Sequence, residues 1–367
     1  MKSLDIKIVT CHDVNNFGAS LQAYALQTYL ELQGHHVQIV DYKPRYHSTG
    51  YIKSGLKGGL RGVVKKIYSL IINQSHRERN RKFRQFTDSR LHLTPKYNYI
   101  QELMTSQMDA DVFIAGSDQI WNSLYLIGRD PVFYLDFVKK GVRKVAYAPS
   151  LTIPENDRRV EYLYHKELPE FDFISVRENS SLPFIQKIGR SDAEVVCDPV
   201  LLLSVQEWDR LIPKHELVDG EYLLVYDFDN NQQIATIARI IAEKRKLKII
   251  NISIDTLRDL GHKRSDVGPE EFLSLIRGAA FVVSSSYHAT LFSLMYHKPF
   301  CVVKRQLNIN QRMEDFLDAC GLNERIVTEY SPSLLDDYDA LQVNKKMEAI
   351  ILSSKGYLSR ALSFDQQ

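Results

Sequence analysis

Short β-branched runs, each followed by a polar loop and a stretch of helical period, recur along this chain and leave few architectures open to it. Residues 6–10 form the first such run, too short for a helix and apolar enough for a buried strand. A polar loop over 11–18 follows. Residues 20–33 place Leu21, Tyr24, Ala25, Tyr29 and Leu32 near helical spacing, and Gly34 supplies the stop. Residues 36–41 read as the next strand. Strand, loop, helix, strand is the opening unit of a parallel α/β sheet. The rhythm resumes with strands near 111–115, 144–148, 173–176 and 194–197.

A second set starts beyond the turn-rich stretch 204–220. Strands at 222–226, 248–252, 281–283 and 300–303 alternate with helices at 232–245, 269–277 and 289–296. A length of 367 residues suits about two domains at roughly 150 residues each. The expected fold class is therefore α/β, with two Rossmann-like domains facing a cleft. The expected divisions are 1–204, carrying a basic helical insertion near 50–105, then 205–345, with a C-terminal helix in 346–367 crossing back to the first domain. In open α/β sheets ligands sit beyond the carboxyl ends of the strands. The loops at 11–18, 116–122, 227–231 and 284–288 are where a site is sought.

Lys and Arg number 47 against 45 Asp and Glu, so the net charge of +2 selects no partner. Hydrophobic residues at 44% supply the cores. Cys11, Cys197, Cys301 and Cys320 lie too far apart for a zinc knuckle or a redox motif, so no metal is expected. A reduced, cytoplasmic setting is expected with them. The opening residues read as no signal peptide, and no window is apolar enough for a membrane span.

Charge is concentrated instead. Between Lys53 and Arg90 eleven Lys and Arg residues meet only Glu78 and Asp88. Within that stretch, 55–72 mixes bases with Leu56, Leu60, Val63, Val64, Ile67, Leu70 and Ile71. The pattern suits a helix lying at an anionic membrane surface, on its inner face. It equally suits a helical arm packed on the first domain or on a second subunit. The aromatics there are not interleaved as a stacking platform, so nucleic acid is not an expected partner.

Five stretches carry possible chemistry. Asn15, Asn16 and Gly18 precede a helix, where backbone N–H groups attract anions; the plain alternative is an Asn16 or Ser20 helix cap. Asp118 and Trp121 follow a strand, as a base and a cleft wall or as a cap and a core residue. Arg177 ends a strand as an anion fork or as a surface partner of Glu178. Asp198 and Pro199 read as a turn. His288, behind Ser285 and Ser286 at a strand–helix junction, suits proton transfer or phosphate binding. Arg305 and Arg312, close behind the strand at 300–303, suit an anionic ligand or a solvated loop.

The ordered set NFGASLQAYALQ, GSDQIWN, SVRENSS, CDPVLLL, SSSYHATLFS and KPF resembles the polysaccharide pyruvyl transferase family over residues 6–325. The resemblance implies a fold similar to the GT-B glycosyltransferases. It implies phosphoenolpyruvate as co-substrate, no other cofactor, and as acceptor a sugar of a surface glycan or its lipid-linked oligosaccharide precursor. The product would be a pyruvate ketal, with phosphate released. Carried over by position, Arg177 and His288 belong to the donor site, and Asp118 with the 16–18 loop lines the cleft. The family pattern has arginine two residues before the histidine, where this chain has Ser286. Arg305 and Arg312 are the nearest replacements, with Ser285 and Ser286 beside the donor. Two other readings of the fold are a glycosyltransferase using a nucleotide sugar and a non-catalytic glycan-binding member.

Overall fold

The computed structural model of the protein describes residues 2–44, 46, 62–152, 158–254, 256–305 and 310–364. In the first half the strands are β1 (Asp5–Val9), β2 (His36–Ile39), β3 (Val112–Ala115), β4 (Asp118–Asn122), β5 (Arg143–Ala146), β6 (Pro149–Thr152), β7 (Phe173–Val176) and β8 (Glu194–Val195). The second half supplies β9 (Tyr222–Tyr226), β10 (Lys248–Asn251), β11 (His262–Lys263), β12 (Phe281–Ser284), β13 (Phe300–Val303) and β14 (Ile326–Val327).

The strands form two six-stranded sheets, in the orders β2-β1-β3-β5-β7-β8 and β11-β10-β9-β12-β13-β14. Every pairing within them is parallel. Composition explains this. All residues of β3, β9, β12 and β13 are buried, and a strand covered on both faces reads as an unbroken apolar run. The second order is that of a dinucleotide-binding fold, with its reversal between β9 and β12. The first sheet reverses between β1 and β3. Such reversals open crevices at the carboxyl ends of the strands, so the loops after β1, β3, β9 and β12 converge on ligand-binding ground.

Residues 116–122, expected as a loop, are in part a strand. β4 pairs with β6 outside the main sheets, with a register shift between Asp118 and Trp121. The helix expected from residue 20 begins at Phe17, because the Asn16 carboxamide accepts from the N–H groups of Gly18 (2.9 Å) and Ala19 (3.3 Å) and starts helix α1 (Phe17–Leu32) early. The last helix, Ala340–Ala361, likewise starts sooner than its apolar period suggests, under an Asp339 cap. It does return to the first half: Tyr357 donates to the Ala146 carbonyl at 2.8 Å, and Arg360 pairs with Glu194 at 2.7 Å.

Helix α2 (Gly62–Arg90) fills the basic insertion. Of the amphipathic stretch 55–72, residues 55–61 lie outside the described residues, and from Gly62 the backbone is helical. The far end of α2 clamps the halves together. Lys82 pairs with Glu271 at 2.7 Å and Arg90 with Glu270 at 2.8 Å. Phe17 of α1 stacks on Phe272 of the second half at 4.4 Å and meets Tyr226 edge-on at 5.3 Å. The Arg79 guanidinium lies 4.3 Å over Phe17 and donates to the Val267 carbonyl at 3.0 Å. Aromatic pairs of this kind add about 0.5–1.5 kcal/mol each beyond the area they bury. One apolar core therefore runs from sheet to sheet beneath the cleft. No helix among the described residues is long and apolar enough to cross a membrane.

Candidate active site

Loops behind β1, β3, β7, β8 and β12 bring together residues far apart in sequence. His288 is the second residue of the Tyr287–Met295 helix, behind β12. Its Nε2 lies 3.2 Å from Asp198 Oδ2, and its ring covers the bare α-carbon of Gly18, where an added Cβ would meet Nδ1 at 2.0 Å. Glycine is required there by close approach. The same Asp198 oxygen accepts from Arg177 Nη1 at 2.5 Å. Neither side chain of that pair is exposed. Burial alone raises the pKa of a carboxyl group; His288 and Arg177 outweigh it and hold Asp198 well below the usual carboxylate range.

Two guanidinium groups lie over one aromatic ring. Arg177 lies 5.1 Å and Arg312 5.6 Å from the Tyr287 ring centroid. Burial and the like charge of Arg177 both lower the pKa of Arg312, whereas Asp198, Tyr287, Asp118 and Glu178 overcome burial to raise that of Arg177. With its amide oxygen turned toward Arg312, Gln119 accepts from Nη2 at 2.7 Å. Arg177 Nε and Nη2 and Arg312 Nε are buried without a hydrogen-bond acceptor among the described residues. Each unmatched buried donor costs about 1–3 kcal/mol, which an anionic ligand would recover.

Asp118 stands at the opening of this cluster, its side chain 16% exposed and Oδ1 3.7 Å from Arg177 Nη2. Its φ of 72° is left-handed, a conformation that aspartate tolerates at a cost of about 1–2 kcal/mol. Strain of this kind gathers at functional sites. Glu178 is buried behind the arginines. Its Oε1 accepts from Ser150 Oγ at 2.6 Å and Leu151 N at 3.0 Å, and burial pushes its pKa up against the pull of Arg177 and Arg312.

The remaining expected residues lie elsewhere or are otherwise engaged. Trp121 is no cleft wall. It is fully buried, stacked on Tyr134 at 5.5 Å, and donates to the Phe133 carbonyl at 2.9 Å, because β4 turns it into the core of the first half. Arg305 forms a two-pronged pair with Asp229, at 2.9 and 2.8 Å, over the Phe228 ring, so its fork is already filled. Ser285 Oγ donates to Asp227 at 2.9 Å, and Ser286 Oγ caps the histidine helix by accepting from Ala289 N at 3.3 Å. Asn16 caps α1 as described, and exposed Asn15 bonds Asn80 at 2.6 Å. Among the described residues no group of His, Cys, Asp and Glu is placed to hold a metal ion.

One reading is overturned and one falls short. The expected surface pair Arg177 and Glu178 is buried, and Asp198, the turn residue expected, is also the hub of the cluster. Tyr287, Gln119 and Glu178 were not singled out as functional. The one available signal was adjacency: Tyr287 beside His288, Glu178 beside Arg177 and Gln119 beside Asp118.

Two parallel six-stranded Rossmann-like sheets, with a cationic cluster beside the loops at their reversals, define a GT-B-like fold. A crystal structure of UDP-N-acetylglucosamine 2-epimerase aligns over 99% of this chain and 96% of that one, at 12% identity and a TM-score of 0.54. The UDP-GlcNAc 2-epimerase of Methanocaldococcus jannaschii aligns over 94% and 92%, at 12% identity and a TM-score of 0.50. At such identities the likeness is one of fold. No curated protein matches the chain significantly. The model of the polysaccharide pyruvyl transferase family matches residues 16–306, and the chain belongs to that family. It is a family of transferases that act on glycans.

Proposed function

We propose that this protein transfers pyruvate from phosphoenolpyruvate to two hydroxyls of a glycan or of its lipid-linked precursor, forming a ketal and releasing phosphate. The observation that carries this reading is the Arg177–Arg312 pair across Tyr287, with buried N–H groups lacking acceptors. Two forks of like charge over one ring favour a ligand with two anionic ends, and the donor has a phosphate and a carboxylate. Arg312 thereby fills the role that the family pattern gives to the position of Ser286.

His288, its ring held by Asp198 through Nε2, gives a proton from Nδ1 to the methylene carbon of the donor. Positive charge grows on the adjacent carbon, and an acceptor hydroxyl attacks it while Asp118 takes the hydroxyl proton. The carbon–oxygen bond to phosphate then breaks, and its electron pair leaves with the phosphate, which takes the proton from Asp118. The second hydroxyl attacks the same carbon and returns a proton to His288. Arg177 and Arg312 hold both anionic ends throughout and stabilise the charge that builds on the departing phosphate, an effect worth about 10²–10³ in rate per donor.

The test is phosphate release from phosphoenolpyruvate over a panel of glycosides. Release with at least one glycoside, abolished in His288→Gln, is expected. Release that persists undiminished in that variant removes His288 from the reaction.

A further inference from the structure

One oxygen of one carboxylate ties the two halves of the site together. Asp198 Oδ2 accepts from Arg177 Nη1 at 2.5 Å and faces His288 Nε2 at 3.2 Å, while Oδ1 accepts from Val200 N at 3.1 Å. Arg177 follows β7 of the first sheet, and His288 follows β12 of the second. The backbone that carries the carboxylate is fixed from behind. Cys197 N donates to Ser354 Oγ of the returning C-terminal helix at 2.8 Å, and the Tyr147 hydroxyl donates to the Cys197 carbonyl at 3.0 Å.

We propose that Asp198 is a positioning residue that registers the two sheets against each other. It holds the His288 ring through Nε2–H, which leaves Nδ1 as the nitrogen that trades protons with a ligand, and through the same oxygen it holds the Arg177 guanidinium, so that proton donor and anion clamp are assembled together. An ionised carboxylate only accepts, so the ring nitrogen facing it carries the proton. The Gly18 backbone on α1 lies against one side of the ring, the Tyr287 ring stands 5.4 Å away, edge to face, and the Arg177 guanidinium shares the Asp198 oxygen. Asparagine that keeps its oxygen toward Arg177 and His288 turns a donating amide on Val200 N and carries no charge, so it cannot serve all three donors as the carboxylate does. The inference borrows the words donor and clamp from the proposed function, but its geometry and its test involve no substrate. Failure of one is therefore distinguishable from failure of the other.

The test uses the full chain labelled with ¹⁵N in its 11 histidines, with the His288 signals identified by their loss in His288→Gln. The wild type is expected to show the Nε2–H form at His288, with a ring proton protected from exchange. In Asp198→Asn that protection is lost, and amide exchange rises about tenfold or more at 177–178 and at 288–290 alike. A His288 ring with no proton on Nε2 in the wild type overturns the proposal, and so decides it even where Asp198→Asn does not fold. Exchange that rises on one sheet only overturns the shared registration.

Discussion

The His288 imidazole occupies the space that a side chain at position 18 would need, since a Cβ built on Gly18 would fall 2.0 Å from Nδ1 and 2.5 Å from Cγ. The first turn of α1 in one half is thus in van der Waals register with the histidine of the other. Gly18→Ala must push the two apart. A displacement near 1 Å costs about 10²-fold in turnover, and overpacking costs about 1–3 kcal/mol of stability. Steady-state kinetics and denaturant unfolding measure both. Wild-type turnover in Gly18→Ala would show that this contact does not set the geometry of the site.

Arg305 is satisfied by Asp229 and lies over the Phe228 ring. Arg305→Ala is therefore expected to leave the affinity for phosphoenolpyruvate within about threefold of wild type, since it removes no direct ligand contact. A loss of a hundredfold in titration calorimetry would place Arg305 in the clamp.

Trp121 separates a core role from a cleft role. Trp121→Phe removes the bond to the Phe133 carbonyl and is expected to cost about 1–3 kcal/mol in unfolding free energy by leaving that carbonyl unpaired. KM for donor and acceptor is expected to stay unchanged. A raised KM for the acceptor at unaltered stability would return Trp121 to the cleft.

The depressed pKa of Asp198 fixes the sign of a pH effect. A carboxyl group whose folded pKa lies below its unfolded value of about 3.9 contributes stability in full above that value and loses it as pH falls toward the folded one. Asp198→Asn leaves the buried Arg177 without its nearest counter-charge, at a cost of about 3–5 kcal/mol. The gap from wild type is expected to stay constant from pH 5 to 8 and to narrow only below about pH 4. Denaturant titrations across that range check it. A gap that widens in acid would contradict the ion-pair account.

Much of the fold was legible because parallel strands buried on both faces leave unbroken apolar runs such as Tyr222–Tyr226 and Phe300–Val303. The elements that escaped were those decided by single side chains, as where the Asn16 and Asp339 caps moved helix starts upstream. The site was legible only in part. His288 and Arg177 stand at strand ends, where position alone is informative. Asp198 is built like a turn residue, accepting from Val200 N two residues on. Its contacts with Arg177 and His288 span 21 and 90 residues of chain, and no local pattern carries them. Trp121 was misplaced because the short β4–β6 pairing that turns it inward has no apolar run to announce it.

The most direct test of the account is calorimetric titration of phosphoenolpyruvate into the wild type and into Arg312→Ala. The account predicts saturable binding by the wild type, weakened about 10–100-fold in the variant, as loss of a charge-assisted contact of about 1.5–3 kcal/mol requires. Wild-type binding that Arg312→Ala leaves intact, or no binding by the wild type at millimolar donor, would contradict the assignment of the Arg177–Arg312 cluster as the donor site.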